Sequence, residues 1–431
     1  MTDLACDILV IGGGPAGATA AALLAGRGRD VVLLEKAEHP RFHIGESLLP
    51  QNMPILARMG LADAVAKLGV FKPGAEFVDD ETGRRTAYSF ALSLNRESTS
   101  AFHVPRAAFD QLLFANAVSH GATAAERTEV VDVTLAPPGG RARVVAERDG
   151  VRQTYAPRFI LDATGRDTLI AGKLGLKRSN KKNSTAAVYA HWTGVTREMA
   201  EDEPGFITVH LAADGWFWMI PLPDGVMSIG FVGNADVFKN RRGTVQSLYM
   251  DRLNGSPTVA ARMVGATRIS EIHTSGNYSY RATQSWGEGY MMIGDAFAFL
   301  DPVFSSGVLL AMTSGTLGAD VADAWLEELG RGRALARRAQ RKLGRAMDGL
   351  GWLVYRINTP VLRSMFMYPG NRFRMRDGLV TMLAGNLEVD RTLFLPVLAF
   401  KASYYLLCGL RRLGMGPAAD LPDPNRAVAA E

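Results

Sequence analysis

The chain has 431 residues, of which 47% are hydrophobic and 21% charged, and its net charge is +5. This is ordinary composition for a globular protein with one large core or two domains that share one. Its two cysteines, Cys6 and Cys408, are too few and too far apart for a metal-ligand motif or a disulfide framework. We therefore expect no metal site and a cytoplasmic location. The segment before the first strand is too short for a signal peptide.

The first predicted elements are a buried parallel strand, a glycine-rich turn and a helix. Residues 7–11 are, after Asp7, apolar and mostly β-branched, and residues 12–17 read Gly-Gly-Gly-Pro-Ala-Gly. In such a turn Gly12 allows the tight bend and Gly14 lets the backbone approach a pyrophosphate, while Gly17 lets helix and strand pack closely. Together with Ala16, these residues are predicted to bind a dinucleotide at the helix N-terminus.

The next predicted strand, 31–34, ends at Glu35, eighteen residues past Gly17. A carboxylate at this spacing accepts hydrogen bonds from ribose hydroxyls. A glycine turn with a purely structural role is the alternative. The strand before the turn, the helix after it and the acidic residue together favour the dinucleotide.

Two later segments have the same strand-to-turn character. Asp162-Ala163-Thr164-Gly165 follows a predicted strand at 158–161, and a second buried strand ends in Gly294-Asp295. This three-part layout resembles the flavoproteins related to aromatic hydroxylases. The resemblance implies FAD rather than NAD, with Asp295 on the ribityl and phosphate region. It also places Arg106 near the flavin, and a buried structural salt bridge is the alternative for that arginine.

Four segments make the chain similar to flavin-dependent halogenases, from about Asp7 to Gly315. They are a loop beneath the flavin, an active-site lysine, a W-x-W-x-I-P hexapeptide, and a flavin and halide loop. In this chain they are residues 42–50 (Phe-His-Ile-Gly-Glu-Ser-Leu-Leu-Pro), Lys72 within 69–74, residues 216–221 (Trp-Phe-Trp-Met-Ile-Pro) and residues 301–308 (Asp-Pro-Val-Phe-Ser-Ser-Gly-Val).

The resemblance implies chemistry as well as a cofactor. FAD is used as FADH2, supplied by a separate flavin reductase, and O2 and chloride or bromide are co-substrates. A flavin hydroperoxide oxidises the halide to hypohalous acid. Lys72 then either polarises this acid as an ammonium or carries the halogen as a chloramine, so its pKa should be sensitive to burial. A lysine in a surface turn is the alternative.

The halide loop and the hexapeptide complete the predicted site. Ser306 and Gly307 match the family's halide-holding pair, whose backbone N–H groups bind an anion. Trp216 and Trp218 share one strand face, which suits a wall between flavin and substrate and equally an ordinary core. By the same resemblance Phe304 joins that wall, and the remaining predicted cofactor contacts are Ile44, Ser47, Pro302, Gly307 and Val308.

One departure from the family bears on the substrate. Tryptophan halogenases carry a glutamate where this chain has Phe304, and they are usually longer. The resemblance therefore implies an electron-rich substrate of the pyrrole or phenol type, and it leaves open whether that substrate is free or tethered to an acyl carrier protein. The basic segment 331–345 is either a solvated helix face or a docking patch for an acidic carrier protein. No aromatic residues interleave with its charges, so nucleic acid is not an expected partner.

The apolar stretch from Leu393 to Leu410 is the only membrane candidate in the sequence. Pro396 and Lys401 interrupt it, and it barely reaches the length of a bilayer span. We expect a packed C-terminal helix rather than a span. A helix lying on the membrane surface or against a hydrophobic partner is the alternative.

The predicted fold is α/β. It combines an FAD-binding Rossmann-like domain (GR2-type, aromatic-hydroxylase-like) with an inserted β-sheet substrate domain and a helical C-terminal part. The expected boundaries are 1–80, 100–185 and 270–330 for FAD binding, 81–99 and 186–269 for the substrate domain, and 331–431 for the helices. Aromatic hydroxylases and isoprenoid-type reductases share the nucleotide motifs, and a non-catalytic flavin-binding protein is a third alternative. Lys72 and the paired tryptophans favour the halogenase.

Overall fold

The computed structural model describes residues 3–137, 139–180, 185–197, 205–276, 279–300, 302–386 and 391–415, without the side chains of Pro302 and Arg391. Its strands are, in chain order, β1 (Leu4–Ile11), β2 (Val31–Leu34), β3 (Val70–Lys72), β4 (Gly74–Asp79), β5 (Arg85–Ser89), β6 (Ala101–His103), β7 (Thr123–Ala125), β8 (Glu129–Thr134), β9 (Arg143–Arg148), β10 (Val151–Asp162), β11 (Lys177–Ser179), β12 (Thr185–Thr193), β13 (Ile207–Ala212), β14 (Gly215–Pro221), β15 (Met227–Asn234), β16 (Thr267–Arg268), β17 (His273–Gly276), β18 (Tyr280–Ala282), β19 (Trp286–Gly287), β20 (Tyr290–Met292) and β21 (Ala298–Phe299).

Helices surround these strands, and the longest lie in the last third of the chain. They are α1 (Pro15–Ala25), α2 (Asn52–Arg58), α3 (Ala62–Leu68), α4 (Arg106–Ser119), α5 (Leu169–Lys173), α6 (Ala235–Lys239), α7 (Val245–Gly255), α8 (Pro257–Arg262), α9 (Gly307–Glu327), α10 (Leu329–Val354), α11 (Pro360–Met367), α12 (Met375–Leu383) and α13 (Arg391–Arg412).

The first sheet has the topology of a dinucleotide-binding fold. Its strands run in the order β19-β20-β10-β1-β2-β7, with β8 and β9 attached to β10. The four central pairings, from β20 to β7, are parallel. Because parallel strands end at one edge of a sheet, the segments after β1, β10 and β20 meet there. The predicted Rossmann-like domain is confirmed.

The second sheet is the predicted inserted one. Its strands run in the order β16-β12-β15-β14-β13-β4-β5, with β17 on β12. The tryptophan hexapeptide lies on β14, in the middle of this sheet. The structure places β4, at residues 74–79, here as well, because it pairs in parallel with β13. Our division of the chain had assigned these residues to the FAD-binding half.

The two faces of the second sheet pack against different helices. Trp216 and Trp218 lie in an apolar cluster with residues of α11, α12 and α13, whereas Phe217 and Met219 lie in a second cluster that includes Tyr249 of α7. This alternation is the period of two that places alternate side chains of a strand on opposite faces. The C-terminal helices therefore cover the tryptophan side, and the predicted helical C-terminal part is confirmed.

Helix α13 packs by one face only. Leu393, Val397, Phe400 and Tyr404 are buried, while residues between them are exposed. The segment Thr392–Arg412 is long and apolar enough to span a membrane, with a mean hydropathy of 1.6, and only 28% of it is buried. The sequence predicted a packed helix here, and the structure shows packing on a single side.

Candidate active site

The glycine-rich turn occupies the edge where the parallel strands end. Gly12 has φ +105, and a Cβ there would lie 2.3 Å from the carbonyl oxygen of Ala163. A Cβ on Gly17 would lie 1.9 Å from the oxygen of Gly12, so helix α1 can approach β1 only with glycine at this position. Ala16 is buried in the first turn of α1. The two glycines play the roles predicted from the sequence.

Open space remains in front of helix α1. A Cβ on Gly14, the residue before the helix, would have only the Arg41 guanidinium within 4 Å. The first N–H groups of a helix have no intrahelical acceptor, and the helix dipole favours an anion at this end. The residues present therefore fit the pyrophosphate of a dinucleotide.

Glu35 is held from two sides at the end of β2. One carboxylate oxygen accepts the N–H of Gly13 at 2.7 Å, and the other accepts the N–H of Ala37 at 2.9 Å. The Arg41 guanidinium lies 3.4 Å away. Glu35 thus closes the glycine turn onto the neighbouring strand. Its bond to ribose stays a prediction.

Asp295 lies in the short 3-10 helix Gly294–Ala296 that follows β20. A Cβ on Gly294 would come within 2.9 Å of the Ala16 side chain, so this segment lies against the glycine turn. Burial raises the pKa of Asp295 to about 6, and the charges of Arg106 and Arg166 act in the opposite direction. A carboxyl group in this environment can donate a hydrogen bond to a ribityl hydroxyl when it is protonated, and accept one when it is ionised.

Arg106 is the first residue of α4 and is almost fully buried. Its guanidinium forms a two-pronged ion pair with Asp110, at 2.9 and 3.0 Å, and donates to the carbonyl oxygen of Ile44 at 2.6 Å. The buried salt bridge that we left as an alternative is therefore present. Through Ile44 it also fixes one end of the loop that resembles the family's flavin loop.

Lys72 fixes the other end of that loop. It ends strand β3, is only 1% exposed, and donates from Nζ to the carbonyl oxygen of Leu48 at 2.8 Å. The ring of Phe90 lies 5.3 Å from the ammonium. Burial lowers the pKa of Lys72 to about 7. The alternative of a surface lysine is therefore wrong.

The burial of Lys72 follows from local strand pairing. Strand β3 pairs with β6 through Lys72 and Ala101. On the other side of β6, Ser47 bridges His103 and the N–H of Leu48 donates to Phe102. Loop 46–48, β6 and β3 thus form a small layer that encloses the amine.

The two tryptophans lie side by side on β14. Their ring centroids are 6.0 Å apart, and both side chains are buried. The Trp218 indole N–H donates to the hydroxyl of Ser228 at 3.2 Å, and Tyr189 packs at 5.6 Å. A Cβ on Gly230 would lie 2.2 Å from the Trp218 ring, so the facing strand leaves room for the indole.

The halide loop leads into helix α9. Phe304 is buried and stacks on Phe366 of α11 at 6.1 Å, in the apolar cluster that holds both tryptophans and Phe90. Ser305 has φ +54, an uncommon conformation for a residue with a side chain. Ser306 is buried and occupies the N-cap position of the helix, where its side chain makes no capping hydrogen bond. Asp301 and the side chain of Pro302 lie outside the described residues.

The start of α9 offers free backbone donors. Gly307 and Val308 stand in its first turn, where N–H groups have no intrahelical acceptor. A Cβ on Gly307 would meet nothing within 4 Å among the described residues, so none of these requires a glycine here. Open space beside helix donors fits a flavin edge or a halide ion.

Comparison with known proteins gives the family. Residues 5–319 match the model of the FAD binding domain. A tryptophan 2-halogenase of Chondromyces crocatus is 39% identical over 320 residues, covering 72% of this chain and 60% of its own length. Flavin-dependent halogenase armH3 of Armillaria mellea is 33% identical over 339 residues, covering 73% of this chain and 67% of its own. The chain belongs to the flavin-dependent halogenase family. It spans less than two thirds of the first relative's length.

Another relative and two solved structures extend the comparison. A 1H-pyrrole-2-carbonyl-[peptidyl-carrier protein] chlorinase of Pseudomonas fluorescens is 28% identical over 343 residues, or 74% of this chain and 76% of its own. The crystal structure of CmlS, a flavin-dependent halogenase, is 28% identical with a TM-score of 0.77, covering 96% and 78% of the two chains. A flavoprotein/dehydrogenase from Cytophaga hutchinsonii has a TM-score of 0.82 at 28% identity, covering 93% and 99%.

The candidate site also contains two buried polar residues, Glu46 and His103, that the sequence analysis did not name as site residues. Glu46 is 1% exposed and binds His191 of β12 at 2.8 Å, while its second carboxylate oxygen has no partner among the described residues. His103 is fully buried, and its Nε2 forms a hydrogen bond with the carbonyl oxygen of Gly205. The one available signal for Glu46 was an acidic residue inside the loop that resembles the family's flavin loop.

Proposed function

We propose that this chain is an FADH2- and O2-dependent halogenase that places chlorine or bromine on an electron-rich aromatic ring. Reduced flavin supplied by a separate reductase would, with O2, provide the two-electron oxidation of the halide. The observation that carries the proposal is the buried amine of Lys72, held against the loop that resembles the family's flavin loop. The two free cysteines fit a reducing cytoplasm.

The environment of Lys72 suits both roles that the family resemblance implies. With a pKa of about 7, the ammonium and the neutral amine are both populated near neutral pH. The ammonium would donate a hydrogen bond to hypohalous acid. The neutral amine would instead take the halogen with loss of water, pass it to the aromatic ring, and regain a proton as the ring loses one.

The start of helix α9 supplies the halide site of this proposal. Ser306 precedes the helix and Gly307 is its first residue, so their N–H groups lie at the helix N-terminus, where the helix dipole favours an anion. Backbone donors hold a halide without an acidic proton that would compete for the oxidant. The strained Ser305 sets the direction of these donors.

Trp216, Trp218 and Phe304 supply the separation that the chemistry requires. All three are buried in one apolar cluster, and Phe90 of the same cluster contacts the Lys72 amine. Such a wall keeps a substrate from meeting the oxidant before the lysine does. It also excludes water, which strengthens polar interactions at the amine.

The surroundings of Phe304 bear on the choice of substrate. Phe304 stacks on Phe366 and provides no carboxylate, so the ring should bring its own activation, as a phenol or pyrrole does. The pyrrole chlorinase among the relatives supports this choice, while the relative named a tryptophan 2-halogenase requires that tryptophan be tested too.

A carrier-bound substrate is supported by the charge on helix α10. Arg337, Arg341 and Arg345 recur every four residues on its exposed side. We expect Arg337→Glu with Arg341→Glu to lower turnover of a carrier-bound substrate about tenfold and to leave a free substrate unaffected. The control reverses Arg241 and Arg242, two exposed arginines of another segment.

The deciding experiment supplies FADH2, O2 and either halide with phenols, pyrroles and tryptophan, both free and carrier-bound. Mass spectrometry reads the products, and FAD binding is checked separately. We expect halogenated product, and Lys72→Ala should lower its rate by a factor of about 1000 while FAD still binds. Undiminished halogenation in that variant would remove the role given to Lys72.

A second candidate is an FAD-dependent hydroxylase or reductase. It is favoured by one observation, the high structural similarity to a protein named a flavoprotein/dehydrogenase. Hydroxylated product formed without halide, or a reduced double bond formed without O2, would support it. Neither reaction needs a buried lysine, so Lys72→Ala would then leave the rate unchanged.

A further inference from the structure

Helix α13 carries an exposed apolar stripe. Its exposed side chains recur every three or four residues, which places them along one face of the helix. Leu395 and Leu406 are each about two thirds exposed. The stripe, as we define it, consists of Phe394, Leu395, Leu398, Ala402, Tyr405, Leu406 and Leu413.

The stripe is not the surface of a buried core helix. Only 28% of the segment Thr392–Arg412 is buried, although its mean hydropathy is 1.6. The opposite face, with Val397 and Phe400, already fills the contact with the rest of the protein. At 1.5 Å per residue the stripe is about 30 Å long. An apolar surface of this extent on a folded protein normally has a partner.

Basic residues border the stripe near its C-terminal end. The exposed Arg412 ends the helix, and the neighbouring 3-10 helix Arg372–Arg374 places the 78% exposed ring of Phe373 between two exposed arginines. A hydrogen bond from Ser403 to the sulfur of Met375 ties this segment to α13. Aromatic and basic residues beside an apolar helix face are typical of helices that lie on anionic lipid.

Other occupants fit less well. Residues 416–431 contain three prolines and only Leu421 and Val428 as large apolar side chains, too few to cover the stripe. A second copy would match the apolar side chains, but the described part of the stripe and its border offer no acidic group free for the arginines, since Asp377 pairs with Arg374. An acidic protein would form ion pairs with the arginines but would leave the apolar stripe uncovered.

We propose that α13 lies in the surface of an anionic lipid bilayer, with the stripe at the boundary of headgroups and acyl chains. The bordering arginines then face lipid phosphates. The helix does not cross the bilayer, because its other face is packed against the protein. This docking is independent of halogenation, and its test requires no turnover.

The test is flotation of the full chain with vesicles. Vesicles of phosphatidylcholine mixed with phosphatidylglycerol should carry the protein, and vesicles of phosphatidylcholine alone should carry much less. Leu395→Glu with Leu406→Glu should lower binding to the mixed vesicles at least tenfold, because a carboxylate cannot enter the acyl boundary. The matched control is Val264→Glu with Val151→Glu, two equally exposed apolar residues elsewhere. FAD binding and thermal melting verify that each variant is folded.

A second arm tests the charge. Arg372→Glu with Arg412→Glu, two exposed arginines beside the stripe, should lower binding about fivefold or more for each arginine, and high salt should do the same to the unaltered protein. The control is Arg241→Glu with Arg242→Glu, which lie on an exposed loop.

Four outcomes would overturn the proposal. One is no binding of the unaltered protein to anionic vesicles. Another is binding that the leucine pair does not change. The third is a dimer, detected by light scattering, that the leucine variant dissociates while neither form binds vesicles, which would assign the stripe to a second copy. A chain ending at Met415 that binds vesicles only after this truncation would assign the stripe to residues 416–431.

Discussion

The two ends of the site treat their buried polar groups differently. At the nucleotide end, Glu35 and Asp162 are buried, and their oxygens accept backbone N–H groups of the same turns. At the lysine end, buried atoms of Glu46, Ser47 and His103 have no hydrogen-bond partner within the described residues. An unpaired buried polar group costs about 1–3 kcal/mol. The carboxylates of the nucleotide end are therefore held by the chain itself, and the unpaired nitrogens there are those of Arg41, in front of helix α1. At the lysine end a carboxylate, a hydroxyl and a ring nitrogen all stay free for what it binds.

Gly12→Ala should break the nucleotide end most completely. The new Cβ would lie 2.3 Å from the Ala163 oxygen at a backbone φ of +105, so the turn must deform. We expect a loss of about 3 kcal/mol in the free energy of unfolding and at least a hundredfold loss in FAD affinity. Denaturant unfolding and FAD titration measure these. Gly172→Ala, with no atom within 4 Å of the new Cβ, is the control and should change neither.

Lys72→Met should separate function from stability at the other end. The amine is buried and its pKa is lowered, so folding at pH 7 costs free energy, because the ammonium of the unfolded chain must be desolvated or must release its proton. A methionine fills similar volume without charge. We expect the variant to be more stable than the unaltered protein by about 3 kcal/mol at pH 7, and inactive in halogenation. Equal or lower stability at that pH would contradict the assigned environment.

The same pKa sets how the stability difference varies with pH. Between pH 7 and the ordinary lysine value of 10.5, the unfolded chain binds more protons at Lys72 than the folded one does. The stability contributed by this group therefore rises with pH through that window, and the penalty is fully present below about 7. The advantage of Lys72→Met should be largest below pH 7 and shrink steadily towards pH 10, as followed by denaturant unfolding.

Turnover should report which form of Lys72 acts. If the neutral amine carries the halogen, the rate in the unaltered protein rises with pH through about 7; if the ammonium polarises the acid, it falls. Initial rates with a substrate whose own ionisation lies outside this range measure the profile. A rate that is flat across the window would leave Lys72 without either role.

The sequence predicted the nucleotide end better than the lysine end, and the reason is locality. Gly12, Gly17 and Glu35 act within one strand-turn-helix-strand unit, β1 to β2, so their spacing along the chain is enough to predict the turn. The burial of Lys72 depends on β6, about 30 residues further along the chain, and on loop 46–48, so the sequence Phe-Lys-Pro-Gly by itself suggested a surface turn. Only the family resemblance indicated the lysine.

Longer-range contacts were out of reach altogether. Glu46 and His191 are 145 residues apart and meet because the flavin loop lies against β12 of the second sheet. By contrast, the shared face of Trp216 and Trp218 followed from a period of two and is confirmed by their common cluster. For α13 the sequence favoured a packed helix and kept a helix on a membrane surface or against a hydrophobic partner as the alternative, since hydropathy alone does not say which face finds a partner.

Glu46→Gln sharpens the comparison with the smallest expected effect. Burial by itself would lower the pKa of His191, but the hydrogen bond and charge of Glu46 outweigh it and raise that pKa above 6.5. A raised pKa in the folded state gives stability that is fully present below pH 6.5 and is lost as pH rises through the folded value. Glutamine keeps the shape and removes the charge, so we expect a loss of about 1 kcal/mol below pH 6.5 and a smaller loss at about pH 8.

Thermal melting at the two pH values measures this, and Glu38→Gln, an exposed glutamate of a neighbouring turn, is the control. In a His191→Gln background the pH-dependent part of the Glu46 effect should vanish, because no group remains to be protonated. If it persists there, another titrating group is responsible and Glu46 is not held by His191 in solution. A loss that is equal at both pH values would mean that the pair is an ordinary neutral hydrogen bond. The lysine end would then resemble the nucleotide end, with its polar groups satisfied by the chain itself.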